Sequence, residues 1–213
     1  AMAEPWEWVW RSTLVVGSPL LKLGFRLEGK LPELPDGPSV VAANHFSFVD
    51  PVMVGFAMQR PIRYLAVAVL FDHHPAFTRL IDAYGAVPLR NEGVPLRAMR
   101  LALSHLEGGG TVGIFPEGQR VTDWGDQPGR RGAAWLAART GAPLVPVFIH
   151  GSQWTLSHRQ PRFKFVPVGL RFGEPIDPAD YGTDVAAQWA MTWEWERQMT
   201  DLAADSPLRP RVL

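Results

Sequence analysis

Three short stretches of this chain carry residues able to do chemistry together. The first, Asn44-His45-Phe46-Ser47-Phe48-Val49-Asp50, sets an imidazole five residues ahead of a carboxylate. A histidine that takes a proton from an alcohol needs such a partner, to fix its tautomer and to stabilise the imidazolium. In one straight helix, five residues would leave the two well apart in azimuth, because the period is 3.6. Pro51 disfavours helical backbone at Asp50, so a turn between them can bring the carboxylate to the ring. The same residues also read as a helix cap beside a loop histidine, since Asp before Pro is common at helix starts.

The second stretch is Phe115-Pro116-Glu117-Gly118-Gln119-Arg120. It offers an acceptor at Glu117, backbone N–H groups around flexible Gly118, and a fork for phosphate at Arg120. The third, Gly85-Ala86-Val87-Pro88-Leu89-Arg90, delivers a single arginine, which on its own is usually a solvated surface charge.

Short apolar runs alternating with helical spacing must position these stretches, the pattern of an α/β domain. Strand-like runs fall at 39–43, 62–70, 86–89, 111–115, 144–149 and 163–172. Helices are expected at 51–58, with Asp50 as cap and Pro51 in its first turn, and at 75–82, 95–106, 132–139 and 184–204. In the last of these, Val185, Trp189, Trp193 and Met199 share one face. The second chemical stretch sits where a strand exits into a Gly-rich loop, 116–129, and such strand ends are where ligands collect in open α/β sheets. No repeat or composition shift divides the chain. The expectation is one domain, residues 31–213, with a mostly parallel or mixed central sheet flanked by helices, preceded by an amphipathic helical segment, residues 1–30.

Composition closes off other classes. With 213 residues, 46% hydrophobic and 20% charged, the chain is globular. Lys+Arg and Asp+Glu are both 21, a balance that argues against a nucleic-acid binder. Cysteine is absent, which removes disulfides, thiolate metal sites and a cysteine nucleophile. Asp72-His73-His74 reads as a surface loop, since adjacent histidines rarely share an ion without further ligands. No metal or cofactor is expected. No Gly-x-Ser-x-Gly elbow occurs, which disfavours an α/β-hydrolase lipase. The uncharged run near the start of the chain, between Arg11 and Lys22, is ten residues and holds Gly17 and Pro19; a spanning helix needs about 20 apolar residues. Trp6, Trp8 and Trp10 with Leu14, Val15, Leu20 and Leu21, beside Arg11, Lys22 and Arg26, suit a segment lying in a membrane interface or packing on the domain.

Taken in order, the motifs Asn44-His45-x4-Asp50, Gly85-x4-Arg90, Phe115-Pro116-Glu117-Gly118 and Val145-Pro146-Val147 resemble those of the glycerolipid (lysophosphatidic acid) acyltransferases. The resemblance runs from about Ser39 to Gly151. It implies acyl transfer from a thioester, acyl-CoA or acyl carrier protein, to the free hydroxyl of a lysophospholipid. The acceptor it suggests is 1-acylglycerol-3-phosphate, giving phosphatidic acid. By the same resemblance His45 is the general base, Asp50 its orienter, and Arg90, Glu117 and Arg120 hold the acceptor phosphate. Backbone N–H groups around Gly118 are expected to steady the oxyanion. No nucleophilic side chain is needed, because an alcohol deprotonated by histidine attacks a thioester directly. The family's usual Thr-Arg-Ser after the third motif is Gln119-Arg120-Val121 here, which keeps the arginine and loses two hydroxyls. Val67 stands where many members have lysine. The same motifs would serve another lysophospholipid or glycolipid acceptor, a thioester hydrolase, or a non-catalytic lipid-binding relative. Peripheral attachment to the cytoplasmic face of the cell membrane follows as an expectation.

Overall fold

A computed structural model describes residues 5–25, 37–67, 87–89 and 96–206. Among them six strands form one sheet: β1 (Ser39–Ala43), β2 (Ile62–Val67), β3 (Val87–Leu89), β4 (Thr111–Ile114), β5 (Leu144–His150) and β6 (Gly169–Phe172), in the order β3-β2-β4-β1-β5-β6. The first five run parallel, and β6 is antiparallel to β5. Parallel strands covered on both faces must be apolar on both. Accordingly β1 and β5 are buried at every position. Strand alternation sorts their side chains into two cores. Val40, Ala42, Leu144 and Phe148 enter one; Val41, Ala43, Val145 and Val147 enter the other.

The first core is covered by α3 (Leu96–Glu107), α4 (Gly132–Thr140) and α5 (Val185–Ala204), the second by α1 (Pro5–Phe25) and α2 (Asp50–Met58). Burying each large side chain of these faces contributes about 1.5–3 kcal/mol. The expected helix at 75–82 and the Asp72-His73-His74 loop lie outside the described residues.

Three sequence expectations need correction. On α5 the inward stripe is Gln188, Met191, Thr192, Trp195 and Met199, whereas Val185, Trp189 and Trp193 face solvent. Both stripes have helical spacing and tryptophan. Trp195 decides between them, because its buried indole N–H reaches an acceptor, the Ala42 carbonyl of β1, at 3.0 Å. The strand expected over 163–172 begins only at Gly169. Pro167 has no N–H for a ladder, and the Val168 amide donates to the carbonyl of Phe25 at the end of α1 (2.9 Å).

The third correction concerns α1, whose tryptophans divide. Trp10 and Phe25 are buried, while Trp8, Val15 and Leu23 are 64%, 78% and 81% exposed. Trp10 lies so close to Gly55 of α2 that any Cβ there would overlap the indole ring; the glycine is what lets the two helices meet. The side chains of Trp6, Leu14, Leu20, Leu21 and Lys22 lie outside the described residues. Among the described residues no helix is long and apolar enough to cross a membrane.

Candidate active site

Parallel strands bring their C-terminal ends to one edge of the sheet. Ala42 of β1 sits in register with Ile114 of β4, so the loops that follow these strands run side by side. Asn44 braces the first of them. Its Nδ2 donates to the Ile149 carbonyl (2.9 Å) and its Oδ1 accepts from the Ile149 amide (2.7 Å), holding β1 to β5 where the strands end.

His45 follows directly, and its Nδ1 meets Asp50 Oδ2 at 2.9 Å. The same oxygen accepts from the amides of Phe46 (2.7 Å) and Ser47 (2.6 Å), so residues 45–50 curl around the carboxylate. Asp50 is fully buried, whereas the His45 side chain is 16% exposed. The expected cap role of Asp50 does not hold. Val49 occupies the N-cap position, no side chain caps the helix, and Asp50 is its first residue. With Nδ1–H donating to the carboxylate, Nε2 keeps its lone pair. That is the arrangement of a base able to take a proton from a hydroxyl.

Phe115 restrains the ring. Its centroid lies 4.1 Å from that of His45 with 16° between the planes, and Tyr64 of β2 stacks on Phe115 in turn (5.7 Å, 10°). Sequence reading placed Phe115 in a motif without a role and missed Tyr64 entirely. Its position depends on the β2–β4 pairing, which sets Tyr64 opposite Gly113.

Glu117 sits behind the histidine. Only 1% exposed, it accepts from the His45 amide through Oε2 (2.7 Å), and Oε1 has no hydrogen-bond partner among the described residues. Burial pushes its carboxyl up to about 8; the His45 N–H opposes this, and Asp50 and Asp126 add to it. At neutral pH the carboxyl is therefore protonated. Such a group holds the backbone of the base. It does not present the phosphate contact expected from sequence.

This has a thermodynamic signature. A carboxyl with a raised folded-state pKa binds its proton more tightly folded than unfolded. Its contribution is full below the unfolded value, 4.5, and is lost as pH rises to about 8. Glu117→Gln removes that loss. The melting temperature of the variant should gain on the parent's steadily between about pH 5 and about pH 8. Two parallel melting curves across that range would refute a protonated Glu117.

Gly118 adopts φ +75°, the left-handed turn that suits glycine, and its N–H donates to the Phe115 carbonyl (2.9 Å). That amide is committed to the turn, which corrects the oxyanion expectation for it. Arg120 is half-buried with its guanidinium 3.7 Å above the Phe48 ring. Burial lowers its pKa and Asp50 pulls it back up. No carboxylate lies within ion-pair distance of it among the described residues. The Val121 amide donates to the His45 carbonyl (2.8 Å), tying this loop to the base. Arg90 lies outside the described residues.

A sequence model of the family described as acyltransferase matches residues 25–150, more than half of the chain. The chain belongs to the acyltransferase family. This acyltransferase is 32% identical over 149 residues to the 1-acyl-sn-glycerol-3-phosphate acyltransferase of Bacillus subtilis (strain 168), covering 68% of this chain and 70% of that protein. It is 29% identical over 119 residues to the chloroplastic 1-acyl-sn-glycerol-3-phosphate acyltransferase BAT2 of Brassica napus, covering 55% of this chain and 34% of that longer protein. Its fold is similar to the crystal structure of the 1-acyl-sn-glycerophosphate acyltransferase PlsC from Thermotoga maritima. There the TM-score is 0.73 at 24% identity, over 97% of this chain and 86% of that one.

Proposed function

We propose that this acyltransferase moves a fatty acyl group from a thioester to the free hydroxyl of 1-acylglycerol-3-phosphate, with His45 as general base. The observation that carries the reading is the His45 Nδ1–Asp50 Oδ2 pair at 2.9 Å, set at the sheet edge in the same loop cluster as Arg120, which has no carboxylate partner among the described residues. The names of its relatives, 1-acyl-sn-glycerol-3-phosphate acyltransferases, support this choice of acceptor. In the step itself, the acceptor O–H proton passes to His45 Nε2 and the oxygen bonds to the thioester carbon. The C–S bond then breaks, and the leaving thiolate takes the proton back from the imidazolium. Arg120 holds the acceptor phosphate, and Arg90 is proposed beside it. Acyl-CoA and acyl carrier protein both fit as donor, and no metal or cofactor enters the step. The outer face of α1, with Trp8, Val15 and Leu23, lies on the membrane that carries the acceptor, on its cytoplasmic side.

The test is a panel of purified protein, both donors and several lysophospholipids and glycolipids, with products identified by mass. Phosphatidic acid should dominate. Free fatty acid formed at the same rate without acceptor would make the protein a hydrolase instead. Within the same assay, Arg120→Ala should raise the KM for the phosphate-bearing acceptor about 10- to 100-fold, the loss of one charge-assisted contact of about 1.5–3 kcal/mol. The KM for the donor should change far less. An unchanged acceptor KM would move the phosphate away from Arg120.

A further inference from the structure

Between Gln127 and Gly173 the chain holds seven Lys and Arg and no Asp or Glu, although the whole chain is neutral. Several of these cations are engaged: Arg159 pairs with Asp123, and Arg171 lies 3.8 Å from Asp205. Arg162 and Lys164 have no ion-pair partner among the described residues, and both are exposed. They alternate with Phe163 and Phe165, which are 51% and 63% exposed. The two rings pack edge-on to each other (5.0 Å) and to Phe25, the last residue of α1 (5.9 and 5.2 Å). Two phenylalanines thus stand at the surface, flanked by unpaired cations and continuous with α1.

We infer that Arg162-Phe163-Lys164-Phe165 is a second membrane-docking element, seated on anionic phospholipid beside α1. The inference rests on the reading that the acceptor is a bilayer lipid. An anionic bilayer fits better than an acidic protein because the run offers apolar rings as well as charge. Aromatic rings enter the headgroup boundary while Lys and Arg stay at phosphate level. The element is also wired to the site. The Leu156 amide donates to the Arg162 carbonyl (3.2 Å), and the Phe48 amide donates to the Leu156 carbonyl (3.2 Å). Ser47 Oγ reaches the Thr155 carbonyl (2.5 Å). These hydrogen bonds tie the docking run to the loop that carries His45.

The experiment is vesicle co-sedimentation of the full chain, without donor or acceptor, on phosphatidylglycerol-containing and on pure phosphatidylcholine vesicles. Arg162→Gln and Lys164→Gln should each weaken binding to the anionic vesicles about fivefold and leave the neutral ones unaffected. Phe163→Ser with Phe165→Ser should weaken both. All three variants should turn over a soluble short-chain acceptor at the parent rate. Because the chain has no cysteine, Lys164→Cys also gives a single attachment point for a polarity-sensitive dye, whose emission should shift to the blue on anionic vesicles. Parent-like vesicle binding by all three variants, or no dye shift, overturns the inference. Loss of turnover with carrier-protein donors alone, with vesicle binding intact, overturns it in favour of an acidic protein partner. An inactive parent that still sediments through these residues would instead sink the acceptor reading.

Discussion

His45→Ala should cut kcat for acyl transfer about 10²–10⁴-fold, the usual cost of losing a positioned general base, while both KM values stay near the parent's. The fold should survive. Asp50 Oδ2 keeps its bonds from the Phe46 and Ser47 amides, and Glu117 still accepts from the amide of residue 45. The vacated space lies over the Phe115 ring, so added imidazole should restore part of the rate. A variant with parent-like kcat would remove His45 from the chemistry.

Asp50→Asn is expected to be nearly as damaging, for a different reason. The amide oxygen can still accept the three N–H groups that Oδ2 now collects, so the 45–50 turn has a route to persist. Its charge is gone, and the imidazolium formed during transfer loses its counter-ion. The expected fall in kcat is about 10²-fold or more. The new NH2 group would lie where Oδ1 now has no hydrogen-bond partner among the described residues, at a stability cost of about 1–3 kcal/mol. Kinetics and thermal melts are therefore read together. If the variant melts a little lower and still turns over like the parent, the carboxylate serves folding alone.

The two residues of that pair were legible in the sequence because their contact is local, five residues closed by a turn. The strand and helix pattern was legible for the same reason, since buried strands and helix spacing are written in short windows. What escaped is long-range. The Asn44–Ile149 clamp spans 105 residues and the Glu117–His45 contact spans 72. Nothing in Phe-Pro-Glu-Gly reveals that its carboxyl is enclosed, so Glu117 read as a ligand when its burial makes it a positioning residue. Tyr64 gave no signal at all. On α5 the difficulty was one of choice: two tryptophan stripes shared helical spacing, and only the Ala42 carbonyl on another element distinguished them.

The enclosed Glu117 also alters the bookkeeping of the molecule. Counted from its side chains, the chain is electrically balanced at pH 7. With one carboxyl kept protonated up to about 8, Glu117 alone moves the folded protein one unit to the positive side. Folding near neutrality therefore draws a proton from solution, and the folded chain gives it back only under alkaline conditions. The excess charge is not displayed on the surface; it is the absence of a negative charge just behind His45. A hydroxyl approaching with a phosphate attached meets one anion fewer there than the residue letters imply.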